Sequence, residues 1–261
     1  MADVLHLTDA QIGGWVAAFL LPLFRVAALL MTLPLFGADM VSARIRLYMA
    51  LAITLAIVPV LPPMPQLNAL DLHALLLCAE QIVIGALMGL AIQMLFQVFV
   101  IAGQVVAIQM GMAFASMVDP VNGVNVATVS QFFNMLVTLL FLSMNGHLVV
   151  FEVLVESFTT LPVDGGLLTG QFWELANRLS WVLGAAILLV LPAVTALLVV
   201  NVALGVMTRA APQLNIFSVG MPVTIVLGMV ILWLNMADIL NQYQSLASEA
   251  LQWLRELARA R

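Results

Sequence analysis

The chain has 261 residues, of which 64% are hydrophobic and 8% charged; a water-soluble domain carries about a quarter charged side chains, so a soluble globule is excluded and the chain belongs in or against a membrane. A net charge of -5 without a basic cluster excludes a nucleic-acid partner, because neutralising phosphates takes grouped Lys and Arg. All eight cations are arginines, whose guanidinium groups hold a fixed, hydrogen-bonded charge in partly buried places better than ammonium groups do.

The opening MADVLHLTDA carries Asp3 and Asp9 and lacks the cationic start of a cleavable signal peptide, so the first hydrophobic segment is expected to be retained. Residues 12–36 form that segment, long enough at about 1.5 Å per residue to cross a roughly 30 Å hydrocarbon layer. Arg25 stands in its middle, close to Pro22. A mid-span cation is costly unless it faces protein or water and has a partner. Glu80 is the expected carboxylate, making a structural ion pair, with a transport role as the other reading.

Residues 47–61 predict a second hydrophobic helix that stops at Pro62-Pro63-Met64-Pro65, since prolines cannot propagate a helix. A third begins at Leu72, and after Glu80 no charge appears until Asp119, which is too long for one crossing. Gly85 and Gly89 have the GxxxG spacing that lets a neighbouring helix approach closely. Gln93, Gln97, Gln104 and Gln109 fall on related helical faces, as an interhelical hydrogen-bonding seam or a wet lumen. Cys78, the one cysteine, excludes an internal disulfide and a thiolate metal cluster and reads as a small apolar helix residue.

The stretch 104–125, QVVAIQMGMAFASMVDPVNGVN, interrupts the hydrophobic run without a basic loop. Its thioethers (Met110, Met112, Met117), one aromatic (Phe114), small residues and the breakers Asp119-Pro120 and Gly123 are the materials of a deformable apolar plug. Methionine repacks around changing shapes, and Gly and Pro stop a helix from continuing. A sealing loop in a membrane assembly and an ordinary buried helix with a turn at Asp119-Pro120 are the two readings.

Residues 126–151 predict another long apolar helix, with Asn145-Gly146-His147 near its far end. His147 has no acidic chain through the span that would make it a proton carrier and reads as a packing or interface residue. Residues 152–180 are the most polar internal segment and the natural boundary between two halves. Glu152 and Glu156 share a helical face but have no His or Cys nearby, so they read as a solvated helix end. Residues 181–208 and 212–237 predict a hydrophobic hairpin whose arms are interrupted by Pro192 and Pro222 and whose tip is Thr208-Arg209-Ala210-Ala211. Beyond it Ile239, Tyr243, Leu246, Ala250, Trp253 and Leu257 recur at three and four residues, marking an amphipathic helix that lies along a surface or binds a partner helix.

Under six alternating spans, four arginines fall on the side of the termini and three on the other, so the positive-inside rule does not orient the chain; these helices are not expected to be conventional lipid-facing spans. No HExxH, P-loop, GxSxG or dinucleotide fingerprint occurs. No catalytic residue, cofactor or metal site is expected, and the chain does not read as an enzyme.

Residues 204–222, LGVMTRAAPQLNIFSVGMP, closely resemble the second-half signature of the FliR/SctT export-gate family of type III secretion systems. Residues 109–120, QMGMAFASMVDP, with 141–148, FLSMNGHL, are similar to its first-half signature, and Arg25 through Pro34-Leu35-Phe36-Gly37 to its opening. The resemblance covers nearly the whole chain. It implies an all-α membrane protein of long kinked hydrophobic helices and helical hairpins, with a plug-like loop and a C-terminal amphipathic helix. Residues 1–165 would be a P-subunit-like half with the plug loop at about 106–123, and residues 166–261 a Q-subunit-like hairpin and tail. The implied partners are the export-gate P and Q subunits, the FlhB switch protein, unfolded export substrates in transit and membrane lipid, in the bacterial inner membrane at the flagellar basal body. Met110, Met112, Phe114 and Met117 would be the sealing side chains, with Arg209 and Pro212 at the hairpin tip.

The expected mechanism is dewetting: apolar side chains at a constriction exclude water and ions when the pore is closed, and an unfolded substrate displaces them. A virulence export gate shares the same signature. A secondary transporter is the rival from another class, suggested by the prolines at 22, 192 and 222 and the buried Arg25, and a scaffold whose loop never moves is a third.

Overall fold

The computed structural model describes residues 9–36, 41–64, 72–112, 128–163, 169–211 and 220–259. Among them the regular structure is entirely helical: α1 Asp9–Thr32, α2 Ala43–Ile57, α3 Leu72–Gln109, α4 Thr128–Ser143, α5 Gly146–Thr160, α6 Thr169–Ala210 and α7 Met221–Arg259, with a single 3-10 turn at Val58–Val60 after α2. Apolar residues dominate every one of them, so local hydrogen bonding in a helix is the way to satisfy backbone groups in a low-dielectric setting. The chain is an all-α membrane protein. Four helices are long and apolar enough to cross a membrane, Ala43–Val60, Leu72–Gln109, Trp173–Ala210 and Met221–Arg259, and the broken pair α4 and α5 would make a fifth.

Several boundaries differ from the sequence expectation for identifiable reasons. The helix expected over 126–151 is two helices, because Asn145 takes the left-handed conformation at φ 57, a geometry that asparagine tolerates and that ends a helix. Pro222 does not interrupt a helix arm. It is the second residue of α7, where its missing N–H is unused anyway. The last hairpin arm and the amphipathic tail are therefore one 39-residue helix. Pro192 does lie inside α6, and Pro22 inside α1. The apolar run that begins at Leu72 is one continuous helix of 38 residues, about 57 Å long at about 1.5 Å per residue and well beyond one hydrocarbon thickness.

The chain forms two compact units. The first combines Met1–Gln93, Asn145–Asn177 and Ala250–Arg261. Here α1 lies directly on α3 at Gly85 and Gly89: a methyl group at Gly85 would overlap the carbonyl oxygen of Arg25, and one at Gly89 would overlap Oγ1 of Thr32. Only glycine lets two helix backbones approach so closely, which is the GxxxG device read from the spacing. Thr32 turns its hydroxyl back onto the Ala28 and Leu29 carbonyls at 2.9 and 3.1 Å, so that hydroxyl is not stranded at the crossing. Leu21, Leu29, Leu87, Met88, Leu154 and Leu257 are among the buried residues of this unit. The end of α7 is fastened to α5 by two rungs, Arg255 to Glu152 at 3.8 Å and Arg259 to Glu156 at 2.7 Å. Both partners advance by four residues, so the two segments run parallel.

The second unit combines Met94–Met144 and Arg178–Glu249. Phe96 meets Phe141 edge to face at 5.5 Å and Phe99 meets Tyr243 at 5.9 Å, joining α3 to α4 and to α7. Gly103 lets α4 approach α3, since a Cβ there would stand 2.7 Å from the Cα of Ser130. Arg178 pairs with Glu249 at 3.5 Å. Of the residues read as an amphipathic tail, Ile239 and Tyr243 are buried in this unit and Ala250, Trp253 and Leu257 in the first, so they pack inward on their own chain. The outward surface is apolar. Ile187, Leu188, Val199 and Val206 on α6 and Val226, Met229, Trp233 and Leu234 on α7 are exposed, a surface that needs lipid or protein neighbours.

Candidate functional site

The methionine-rich segment begins where α3 ends, and that end is built in detail. An α-helix leaves its last four carbonyls without intrahelical partners. At the C-terminus of α3 the Met112 N–H donates to the Ala107 carbonyl at 3.0 Å and the Gly111 N–H to the Ile108 carbonyl at 3.0 Å, the paired bonds of a Schellman cap. Such a cap needs a left-handed residue, and Gly111 supplies it at φ 81. The next two carbonyls are met from other helices of the same unit. Nδ2 of Asn201 on α6 donates to the Gln109 carbonyl at 3.0 Å, and Oγ1 of Thr224 on α7 donates to the Met110 carbonyl at 3.2 Å. The Thr224 hydroxyl proton is shared with the Met221 carbonyl at 2.8 Å.

Met110 is completely buried. Its side chain lies across Gly228, where a Cβ would stand 2.6 Å from the methionine Cγ and 2.7 Å from its Cε. Met112 is half-buried. Phe114 and Met117, two of the four expected sealing side chains, lie outside the described residues, as does Pro212. Arg209 is exposed in the last turn of α6, the end at which a cation complements the helix dipole. On α3, Gln97 and Gln104 are exposed while Gln93 and Gln109 are half-buried.

Arg25 is fully buried, and its partner is not Glu80. Its Nε donates to Oε1 of Gln81 at 2.8 Å, Nη1 to the Ser157 carbonyl and hydroxyl at 3.0 Å each, and Nη2 to the Leu161 carbonyl at 3.0 Å. The guanidinium also sits 4.2 Å from the ring centroid of Phe158. The charge therefore rests on the C-terminus of α5, where carbonyls converge and the helix dipole is negative, and a carboxylate is not needed to satisfy it. A side chain one position away from the expected glutamate supplies the remaining acceptor.

Asn201, Thr224 and Gly228 were not among the residues singled out by reading the sequence. Thr224 and Gly228 do stand four apart on one face of an apolar helix, the small-residue spacing that marks a close contact, and Asn201 is an isolated amide in the run LLVVNVAL. Among the described residues no three His, Cys, Asp or Glu side chains come together as a metal site.

This arrangement holds a backbone direction, and comparison with known proteins supplies the context. The family model described as bacterial export proteins, family 1, matches residues 16–250. The chain belongs to this family. It is similar to the flagellar biosynthetic protein FliR of Escherichia coli (strain K12), 38% identical over 226 residues that cover 86% of each chain. The FliR protein of Pectobacterium carotovorum subsp. carotovorum is 36% identical over 248 residues, 94% of each chain. The surface presentation of antigens protein SpaR of Shigella flexneri is 26% identical over 220 residues, 81% of this chain and 82% of that one. The α3 terminus, Asn201, Thr224 and Gly228 all lie inside the span matched to the family 1 export proteins.

Proposed function

We propose that the chain is a subunit of the flagellar type III export gate in the bacterial inner membrane, part of the basal body and a transport component, not a catalyst. It assembles with P and Q subunits and the FlhB switch protein into a pore core through which unfolded flagellar proteins pass, and residues from about 106 to 123 seal that pore when it is closed. The first 165 residues take the P-like place in this core and residues 166–261 the Q-like place. The observation that carries the reading is the junction at Gln109–Met112: a fully capped helix end leads straight into a segment rich in Met and small residues, within a chain of the bacterial export family. A seal of this composition excludes ions by dewetting and re-forms around varied side chains because thioethers are pliable.

Deleting Gly111 to Ser116 tests it. The gate complex carrying the deletion is expected to leak ions when no substrate is in transit, and an unchanged leak overturns the plug. A virulence secretion gate is the second reading, favoured by the similarity to SpaR. Expression of the chain in a flagellar-gate-null strain and in a virulence-gate-null strain separates the two by which export it restores.

A further inference from the structure

We propose that Asn201, Thr224 and Gly228 are positioning residues of the gate: they clamp the C-terminus of α3 from two other helices and so set where the chain leaves it for the methionine-rich segment. The inference rests on the plug reading above.

The Schellman bonds at Ala107 and Ile108 are local and would form wherever a helix ends at a left-handed glycine. They fix the shape of the turn but not its place. The bonds to the Gln109 and Met110 carbonyls do fix its place, because their donors belong to α6 and α7. All four terminal carbonyls of α3 are thereby accounted for, two by the chain itself and two by its neighbours. The third hold is steric. Met110 lies with its Cγ, Sδ and Cε against the bare backbone of Gly228, so the residue next to the pivot is seated on α7 and cannot roll about the α3 axis without leaving a void or a clash. The pivot is Gly111, whose φ of 81 few other residues adopt. Helix ends are ordinarily the first parts of a helix to fray; an end held at three points resists fraying and so fixes the place at which the chain leaves α3.

The test uses the intact gate complex purified with its partner subunits and reconstituted into phospholipid vesicles that contain a pH-sensitive dye. Proton entry under an imposed potassium diffusion potential is measured per assembled complex. Thr224→Val removes the hydroxyl at nearly constant volume and Asn201→Leu removes the amide. Each is expected to raise the closed-state leak about fivefold, the equilibrium factor for one lost hydrogen bond, and Thr224→Ser is expected to stay tight. Gly228→Val drives a branched side chain into Met110 and is expected to raise the leak about tenfold or more, while Gly228→Val combined with Met110→Ala restores tightness. Closed-state leaks equal to wild type for Thr224→Val, Asn201→Leu and Gly228→Val overturn the clamp. If Gly228→Val prevents assembly, the double variant decides: a tight, assembled complex supports the clamp, and no recovery overturns it. The Gly111 to Ser116 deletion, run alongside, separates the two ideas. A leaky deletion with tight clamp variants overturns the clamp alone, and a tight deletion overturns the plug reading beneath it.

Discussion

Nη2 of Arg25 donates to the carbonyl oxygen of Leu161 at 3.0 Å, across 136 positions of sequence. With Nη1 on Ser157 and Nε on Gln81, the guanidinium spreads its donors over three directions at once, a task that a planar fork can do and a single ammonium cannot. Arg25→Lys is therefore expected to destabilise the first unit even though the charge is kept. Hydrogen bonds to charged groups are worth about 1.5–3 kcal/mol each, and lysine forfeits at least one. The thermal midpoint of the detergent-solubilised gate complex measures the loss; an unchanged midpoint would mean that the fork geometry is immaterial.

Glycines in this chain separate into two kinds, and alanine tells them apart. At Gly85 the added methyl meets the Arg25 carbonyl, which is backbone and cannot step aside, so Gly85→Ala is expected to cost on the order of 1–3 kcal/mol or more as an overpacked contact. At Gly184, where nothing lies within 4 Å of the new methyl, the same substitution is expected to stabilise α6 by up to about 1 kcal/mol through helix propensity alone. Denaturation curves of both variants, compared under one set of conditions, give the opposite signs directly.

The rungs between α5 and the end of α7 are exposed, so each is worth little singly. Arg259 donates to Glu156 through both Nε and Nη2, at 3.1 and 2.7 Å, and is the stronger of the two. Glu156→Gln is expected to cost about 0.2–1 kcal/mol, less at high salt. The exchanged pair Glu156→Arg with Arg259→Glu is expected to recover most of that loss. A double-mutant cycle at low and high ionic strength measures the coupling, and a coupling that ignores salt would count against an electrostatic rung.

Met110 and Met112 are expected to behave differently although both were read as sealing side chains. Met110 is fully enclosed, so Met110→Ala removes packed volume and is expected to cost about 2–5 kcal/mol. Met112, half-buried beyond the pivot, is expected to cost clearly less stability. Complex yield and thermal midpoint for the two variants, taken together with their ion leak, distinguish an anchor from a seal.

Gly85 and Gly89 were legible from spacing alone because GxxxG encodes a backbone approach within one helix and needs no knowledge of its partner. The charge of Arg25 was legible too, and so was its need for compensation. Its partners were not, because two of the acceptors are backbone carbonyls that converge only once residues 157–161 have closed the end of a helix, and the others are the neutral side chains of Gln81 and Ser157. A linear search for compensation finds carboxylates and so lands on Glu80. The break at Asn145-Gly146 carried a known turn signal, outweighed in reading by the apolar residues on both sides. Asn201 and Thr224 were invisible for a related reason: a lone polar residue in an apolar helix announces that it has a partner without saying which, and here the partners are the orphan carbonyls of another helix.

The sharing of one compact unit by segments far apart in sequence also sets an order of assembly. Because Ala250–Arg261 belongs to the same compact unit as Met1–Gln93, the helices of that unit that are made earlier cannot complete their packing until the end of α7 has been made. During that interval the early helices need other neighbours, so loss of the last turns of α7 is expected to loosen the whole of that unit and not α7 alone.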